Sequence, residues 1–354
     1  MRVLKMEEME WRQKSKGLWL KAGDNNMNFF HKMVYQRRRI IRNSHIQIED
    51  KTWEEMEEIK PALVDHFKKG WTPKWEDLDT PQLKPSQLTL LEEPFSEVEI
   101  RKALAGVEGD KAPGPDGFGL GFYLHYWSIV KEDIVSLFKE FYEGNQSVGC
   151  LNASLFVLIL KVEGPVAVAV DDFCPICLAN GAYMLVIKVL ANRLKLVCHH
   201  LIVSAQAAFL PGIYLHEGFL MAQEVVSALH KDKRKGVVCK LDFAKAYDSV
   251  DRDFLLQRMK RLRFMPRWSR MVNQCISFFP LGKGLRQGDP FSPILFILVA
   301  YVLQRLCAKV ERAGWISVLS TTQNWSKVSI IQYTDDIIML SKNSVGTYVG
   351  CDSF

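Results

Sequence analysis

The chain has 354 residues, 48% hydrophobic and 24% charged, with a formal net charge of +6. That apolar content supports a folded core and excludes a disordered or fibrous chain. The length admits two domains, or one with an appendage, and so modest a net charge leaves the distribution of charge to argue for or against a polyanionic partner.

The N-terminus, MRVLKMEEMEWRQK, lacks the apolar core of a secretory signal. The most apolar run, residues 291–303, contains Pro293 and is too short to span a bilayer, so a buried helix is expected and no membrane partner. The eight cysteines are scattered and read as reduced thiols.

Residues 1 to about 70 read as helical, with apolar positions at Leu18, Trp19, Phe29, Phe30 and Val34 and a turn signal at residues 21–24. This part holds the densest basic cluster, Arg37, Arg38, Arg39 and Arg42, beside His31 and Tyr35. It reads either as a solvated helix face or as a patch that tracks phosphates. Residues 72–94 carry Pro73, Pro81, Pro85 and Pro94 and read as a connector. Ser96 and Glu99 then fit a capping box that starts a helix through Ile100, Leu104 and Val107.

Residues 109–117, GDKAPGPDG, require a shaped loop, followed by a helix over about 123–142. A strand is expected at 154–160, helices at 182–201 and 217–229, and a short apolar strand at 236–243 (GVVCKLDF). Basic helical segments follow, with Arg258, Lys260, Arg261, Arg263, Arg267 and Arg270. A Gly-rich loop at 281–289 leads into an apolar helix at 294–310, and two short strands, 328–333 and 337–340, close the described pattern as a hairpin. Strands and helices alternate irregularly, which points to an α+β fold.

The stretch SIIQYTDDIIML places Asp335 and Asp336 inside an apolar run. A hairpin would put residues 334–336 at its tip, and Asp242 ends another strand. Side by side, the three carboxylates would repel unless a hard divalent cation or a proton resolved the conflict. The pair alone fits a polar turn as well as a metal site.

Three segments in order, Asp242 within LDFAKAYD, residues 284–293 (GLRQGDPFSP) and residues 333–336 (YTDD), resemble the palm motifs of reverse transcriptases. The wider chain is similar to the plant LINE-type branch of non-LTR retrotransposons. The carriers are KAPGPDG at 111–117, LILK at 158–161, Asp172-Phe173, Pro175-Ile176, ANRL at 191–194, and WLKAGD with NFFH near the N-terminus. The resemblance implies right-hand polymerase fingers and palm over residues 95–354, preceded by a basic helical extension and connector over 1–94. It implies an RNA-directed DNA polymerase using two Mg²⁺ ions, with Mn²⁺ as a substitute. The partners would be an RNA template, a DNA primer and deoxynucleoside triphosphates, in the nucleus or cytoplasm.

Roles follow from the same resemblance. Asp242, Asp335 and Asp336 would be catalytic and hold the metals, with the Phe243 carbonyl assisting. Tyr247 would crowd a ribose 2′-OH, its alternative being a packed core tyrosine. Gln287 and Gly288 would contact the nascent pair, Lys161 the triphosphate and Arg286 the nucleic acid; Arg37, Arg38 and Arg39 join the nucleic-acid residues on their charge cluster alone.

The chain also departs from the family pattern. Cys174 and Cys177 stand where the family has Arg and Ser, and a thiol cannot supply a charged bidentate fork. Leu160 replaces a proline, Ile213 an arginine, and Thr334 an alanine. Chain amounting to a β-hairpin is missing after Ser277, and no thumb is expected before the end at Phe354. Two rival readings therefore stand beside the polymerase: an inactive remnant that at most binds nucleic acid, and a zinc or thiol-redox protein built on Cys174 and Cys177.

Overall fold

The computed structural model describes residues 46–48, 51–53, 78, 81–106, 112–145, 151–160, 173–202, 220, 223–224, 226–227, 230–231, 236–243, 245–277, 283–313 and 330–342. The basic cluster at Arg37, Arg38 and Arg39, and also Lys161, lie outside these residues, as does most of the expected helix at 217–229. Helices and short antiparallel strands mix, an α+β architecture. The chain divides into two compact units, each drawn from two stretches: Met1–Lys69 with Ser96–Val186, and Gly70–Phe95 with Ile187–Phe354.

In the first unit, the N-terminal part expected to be helical contains a described strand pair, and the rest of that part lies outside the described residues. Strand β1 (Ile46–Ile48) runs antiparallel to β2 (Lys51–Trp53). The alternation in IQI and KTW has period 2, and β-branched or aromatic residues suit a strand. Helix α1 (Pro85–Glu92) belongs to the second unit and lies inside the segment read as a connector. Pro85 opens it, where a missing N–H costs nothing.

Helix α2 (Glu97–Ala105) starts as the sequence predicts, with the Ser96 hydroxyl accepting from the Glu99 N–H at 3.2 Å. The single helix expected next is two, α3 (Leu120–His125) and α4 (Trp127–Glu143), broken at Tyr126. On α4, Ile134, Phe138 and Phe141 recur at helical spacing and are buried. Strand β3 (Ser154–Leu160) pairs antiparallel with β4 (Phe173–Ala179). The loop before α3 presses on the end of β4, where a Cβ on Gly114 would come within 2.4 Å of the Ala179 carbonyl carbon. The Asp116 N–H donates to Asn180 Oδ1 at 3.1 Å in the same place. Only glycine permits that approach, which gives KAPGPDG a structural reason.

Helix α5 (Gly181–Leu201) contributes Ile187, Val189, Leu190, Ala191, Leu194 and Cys198 to the second unit, all essentially inaccessible. Each large aliphatic side chain so buried contributes about 1.5–3 kcal/mol. Arg193, inside ANRL, is also buried. Its guanidinium donates to the carbonyls of Leu91 (3.3 Å), Glu93 and Pro94 (3.0 Å) and lies 4.2 Å from the Phe95 ring centre. It thus satisfies the carbonyls at the C-terminal end of α1 and complements the negative end of that helix.

Strand β5 (Gly236–Asp242) is followed by helices α6 (Arg252–Arg261) and α7 (Pro266–Ile276). Asp251 caps α6 by accepting from the Phe254 N–H at 2.8 Å. On α7, Trp268, Met271, Val272, Cys275 and Ile276 form one buried stripe. The Trp268 N–H near its start donates to Glu92 of α1 at 3.0 Å. Helix α8 (Ser292–Arg312) is long and apolar enough to cross a membrane by composition, but most of its apolar residues are buried within the protein. Strands β6 (Ile330–Tyr333) and β7 (Asp336–Lys342) complete a three-stranded antiparallel sheet in the order β5-β7-β6.

Candidate functional site

The sheet register brings the predicted carboxylate positions together. Asp242 is the cross-strand partner of Asp336, and Tyr333 pairs with Asp336 from the other side. The turn is therefore Thr334 and Asp335 alone; Asp336 is already the first residue of β7, one position further into the strand than expected. The Phe243 N–H donates to the Asp335 carbonyl at 3.4 Å, which ties the end of β5 to the turn. The structure describes Asp242 by its backbone.

The two faces of this sheet differ. Ile330 and Ile337 pack with Cys307, Leu303 and Met339, so one face rests on α8. Asp336 lies on the other face and is exposed. Its Oδ1 is 3.0 Å from Lys240 Nζ, a diagonal neighbour on β5. Among the described side chains no three His, Cys, Asp or Glu groups converge on one point.

Thr334 has φ of +56°. A β-branched residue there is a true outlier, because its Cβ crowds the backbone. Buried amides hold the turn in place. Gln332, fully buried, donates from Nε2 to the Thr334 carbonyl at 3.0 Å, and its Oε1 accepts from Gln304 Nε2 of α8 at 3.1 Å. A half-satisfied glutamine in such a place would cost about 1–3 kcal/mol, so the pairing matters.

Tyr247 lies in the turn of residues 245–249, in which Lys245 has φ of +51°. Its ring is 5.2 Å from that of Phe296, and Phe296 meets Phe243 edge-on at 6.5 Å. Burial, then the nearby charges of Asp335 and Asp289, push the Tyr247 phenol up to about 12. It therefore stays a hydroxyl at neutral pH. The loop of residues 284–289 is laced to the same turn: the Leu285 N–H donates to the Tyr247 carbonyl at 2.9 Å and the Gly284 N–H to Val250 at 2.8 Å. Arg252 Nε donates to the Gly284 carbonyl at 3.1 Å. Gly288, exposed, has φ of +109°, a conformation that requires glycine. Gln287 beside it is half-buried.

Asp289 ends the loop and starts α8, accepting from the Phe291 N–H at 2.9 Å and the Ser292 N–H at 2.6 Å. Burial raises its pKa against those hydrogen bonds and the Arg286 charge. Arg286, expected to face nucleic acid, is half-buried and close enough to act on Asp289 and Cys275.

The Cys174/Cys177 pair behaves differently from a metal site. Both residues lie within β4, where a spacing of three places the two positions on opposite faces of the strand. Cys177 is buried. Cys198 of α5 is fully buried too, its thiol pushed up to about 12, and so is a poor ligand.

Sequence reasoning did not find Lys240, Gln304, Gln332 or Asp289. A glutamine in the apolar run SIIQY was the available signal for Gln332. The others need the register and the helix cap to be seen.

Asp242, the Thr334–Asp335 turn and Asp336 thus share one end of the three-stranded sheet, with the loop of residues 284–289 tied to the turn that carries Tyr247. A model of the family "Reverse transcriptase (RNA-dependent DNA polymerase)" matches residues 165–347, and the chain belongs to that family. It is 25% identical over 289 residues to the "Transposon TX1 uncharacterized 149 kDa protein" of Xenopus laevis, covering 77% of this chain and 21% of that one. It is 29% identical over 276 residues to the "Retrovirus-related Pol polyprotein from type-1 retrotransposable element R2" of Nasonia vitripennis, covering 72% of this chain and 24% of the relative. The chain thus spans about a quarter or less of these relatives' lengths.

Proposed function

We propose that the chain is the polymerase part of a non-LTR retrotransposon protein, an RNA-directed DNA polymerase with fingers and palm in residues 95–354. The observation that carries this reading is the pairing of Asp242 with Asp336 beside the Thr334–Asp335 turn, in a chain of the reverse transcriptase family. The residues fit divalent cations: a solvent-exposed carboxylate, Asp336, sits opposite a second aspartate position and already draws an ammonium group. Asp242, Asp335 and Asp336 would hold Mg²⁺ or Mn²⁺, with the Phe243 carbonyl adjacent. Bound ions supply activation of the attacking 3′ oxygen and charge stabilisation of the leaving pyrophosphate.

The chain's own groups do the rest. The sheet register sets the backbone of Asp242 opposite that of Asp336, which supports the reading, and the Gln304–Gln332 pair holds the turn. Tyr247, protonated and backed by Phe296, would exclude a 2′-OH and so select deoxynucleotides. Gly288 would let the backbone approach a base pair, with Gln287 beside it. Template RNA and primer DNA would be the partners.

The test is primer extension on an RNA template with Mg²⁺, using the full chain. Extension that vanishes in Asp335→Asn is the expected result. A second reading, a non-catalytic remnant, is favoured by Cys174 standing where the family's clamp arginine is expected. Salt-sensitive RNA binding without extension would establish it in place of the first.

A further inference from the structure

Among the described side chains, the carboxylate face of the β5-β7-β6 sheet carries one cation, Lys240. The register pairs Asp242 with Asp336 and Lys240 with Ile338. Paired residues in an antiparallel sheet share a face, and so do residues two apart on one strand. Lys240, Asp242, Asp336 and Ile338 therefore lie on the same face, away from α8. Like charges directly opposite each other across two strands destabilise a sheet. Lys240 Nζ, 3.0 Å from Asp336 Oδ1, offsets that repulsion.

We propose that Lys240 is the resident counter-cation of this site: it holds Asp336 while no divalent ion is bound and must yield when one binds. The inference rests on the reading of Asp242 and Asp336 as ligands of a divalent cation. Both partners are accessible, with side chains 68% and 50% exposed, so an ion can reach the carboxylate and the ammonium can swing away. Lysine suits this role because its charge is compact and its stem flexible, whereas an arginine fork would hold both carboxylate oxygens. The ammonium opposes a divalent ion twice, by occupying an oxygen and by repelling the incoming charge.

The experiment measures Mn²⁺ binding to the full chain by the loss of the free-ion electron paramagnetic resonance signal. It compares the wild type with Lys240→Met, Lys240→Arg and Asp336→Asn. Circular dichroism checks that each variant is folded. The expected result is an Mn²⁺ Kd at least about threefold tighter in Lys240→Met, with Lys240→Arg no tighter than the wild type and Asp336→Asn much weaker. In thermal melts, Lys240→Met should melt lower than the wild type without metal and gain more from saturating Mn²⁺. Unchanged or weaker Mn²⁺ affinity in Lys240→Met, with normal binding by the wild type, overturns the role of Lys240 and leaves the metal-site reading standing. No Mn²⁺ binding by the wild type overturns the metal-site reading and the Lys240 proposal together.

Discussion

Two buried arginines in the second unit show how one residue type can act with opposite sign. Arg193 meets three backbone carbonyls and a ring face, so its charge is compensated. Arg258 on α6 is fully buried, and among the described residues Nε and both terminal nitrogens have no hydrogen-bond partner; the Tyr301 ring lies 5.9 Å away. Burial pushes its pKa down to about 10, with the neighbouring charges of Arg305 and Arg261 acting in the same direction. Removing Arg193 leaves buried carbonyls unpaired, so Arg193→Met should destabilise the chain by about 2–4 kcal/mol. Arg258→Met should instead stabilise it by about 1–3 kcal/mol, because a thioether packs on the tyrosine without a desolvated charge. The sign against pH follows from linkage. The folded pKa of Arg258 lies below its ordinary value of 12.5, so the unfolded chain binds more protons in between. The burden is full below pH about 10 and falls as pH rises towards the ordinary value. Urea unfolding of both proteins should show a gap that is constant near neutrality and narrows above pH about 10. A less stable Arg258→Met would refute this account.

At the scale of elements, the turn between β6 and β7 depends on α8. The Thr334 backbone is strained at φ of +56°, and its carbonyl is held by Gln332, which Gln304 orients from 28 residues upstream. Gln332→Met keeps the volume and removes both hydrogen bonds. It should cost about 1–3 kcal/mol in urea unfolding. The double variant Gln304→Met, Gln332→Met should cost less than the sum of the singles, since each single strands the other amide. Additive costs would mean the two amides act independently. These elements also show what was readable in advance. The Ser96 cap and the bounds of β3 follow from local rules, and both were visible in the chain. The partnership of Gln304 with Gln332 was not, because nothing local marks two glutamines far apart as neighbours. The strands β1 and β2 were missed because an alternation over three residues is too short to stand out from its surroundings. Helix α1 was hidden by Pro85, which marks a helix start as readily as a linker. Asp336 was placed in the turn because periodicity locates a hairpin to within a residue, whereas pairing with Tyr333 fixes it.

For the molecule as a whole, the two units carry different parts of the chemistry. The carboxylate sheet, the loop of residues 284–289 and helices α6 to α8 all lie in the second unit, and the β3–β4 pair lies in the first. A ligand that binds only the folded state stabilises what it touches by mass action, about 2.7 kcal/mol at a hundredfold excess over Kd. If the proposed metal site is correct, Mg²⁺ alone engages β5, β7 and the turn, and α8 is coupled to them through Gln304 and the Cys307 cluster. Backbone amide exchange should therefore slow with Mg²⁺ in β5, β6, β7 and the half of α8 around Gln304. Exchange in β3 and β4 should stay unchanged, because no predicted ligand of the ion lies there. Asp336→Asn should abolish the slowing. Protection that instead spreads evenly over both units would mean that Mg²⁺ acts as a general salt, and the carboxylate sheet would lose its claim to be the site.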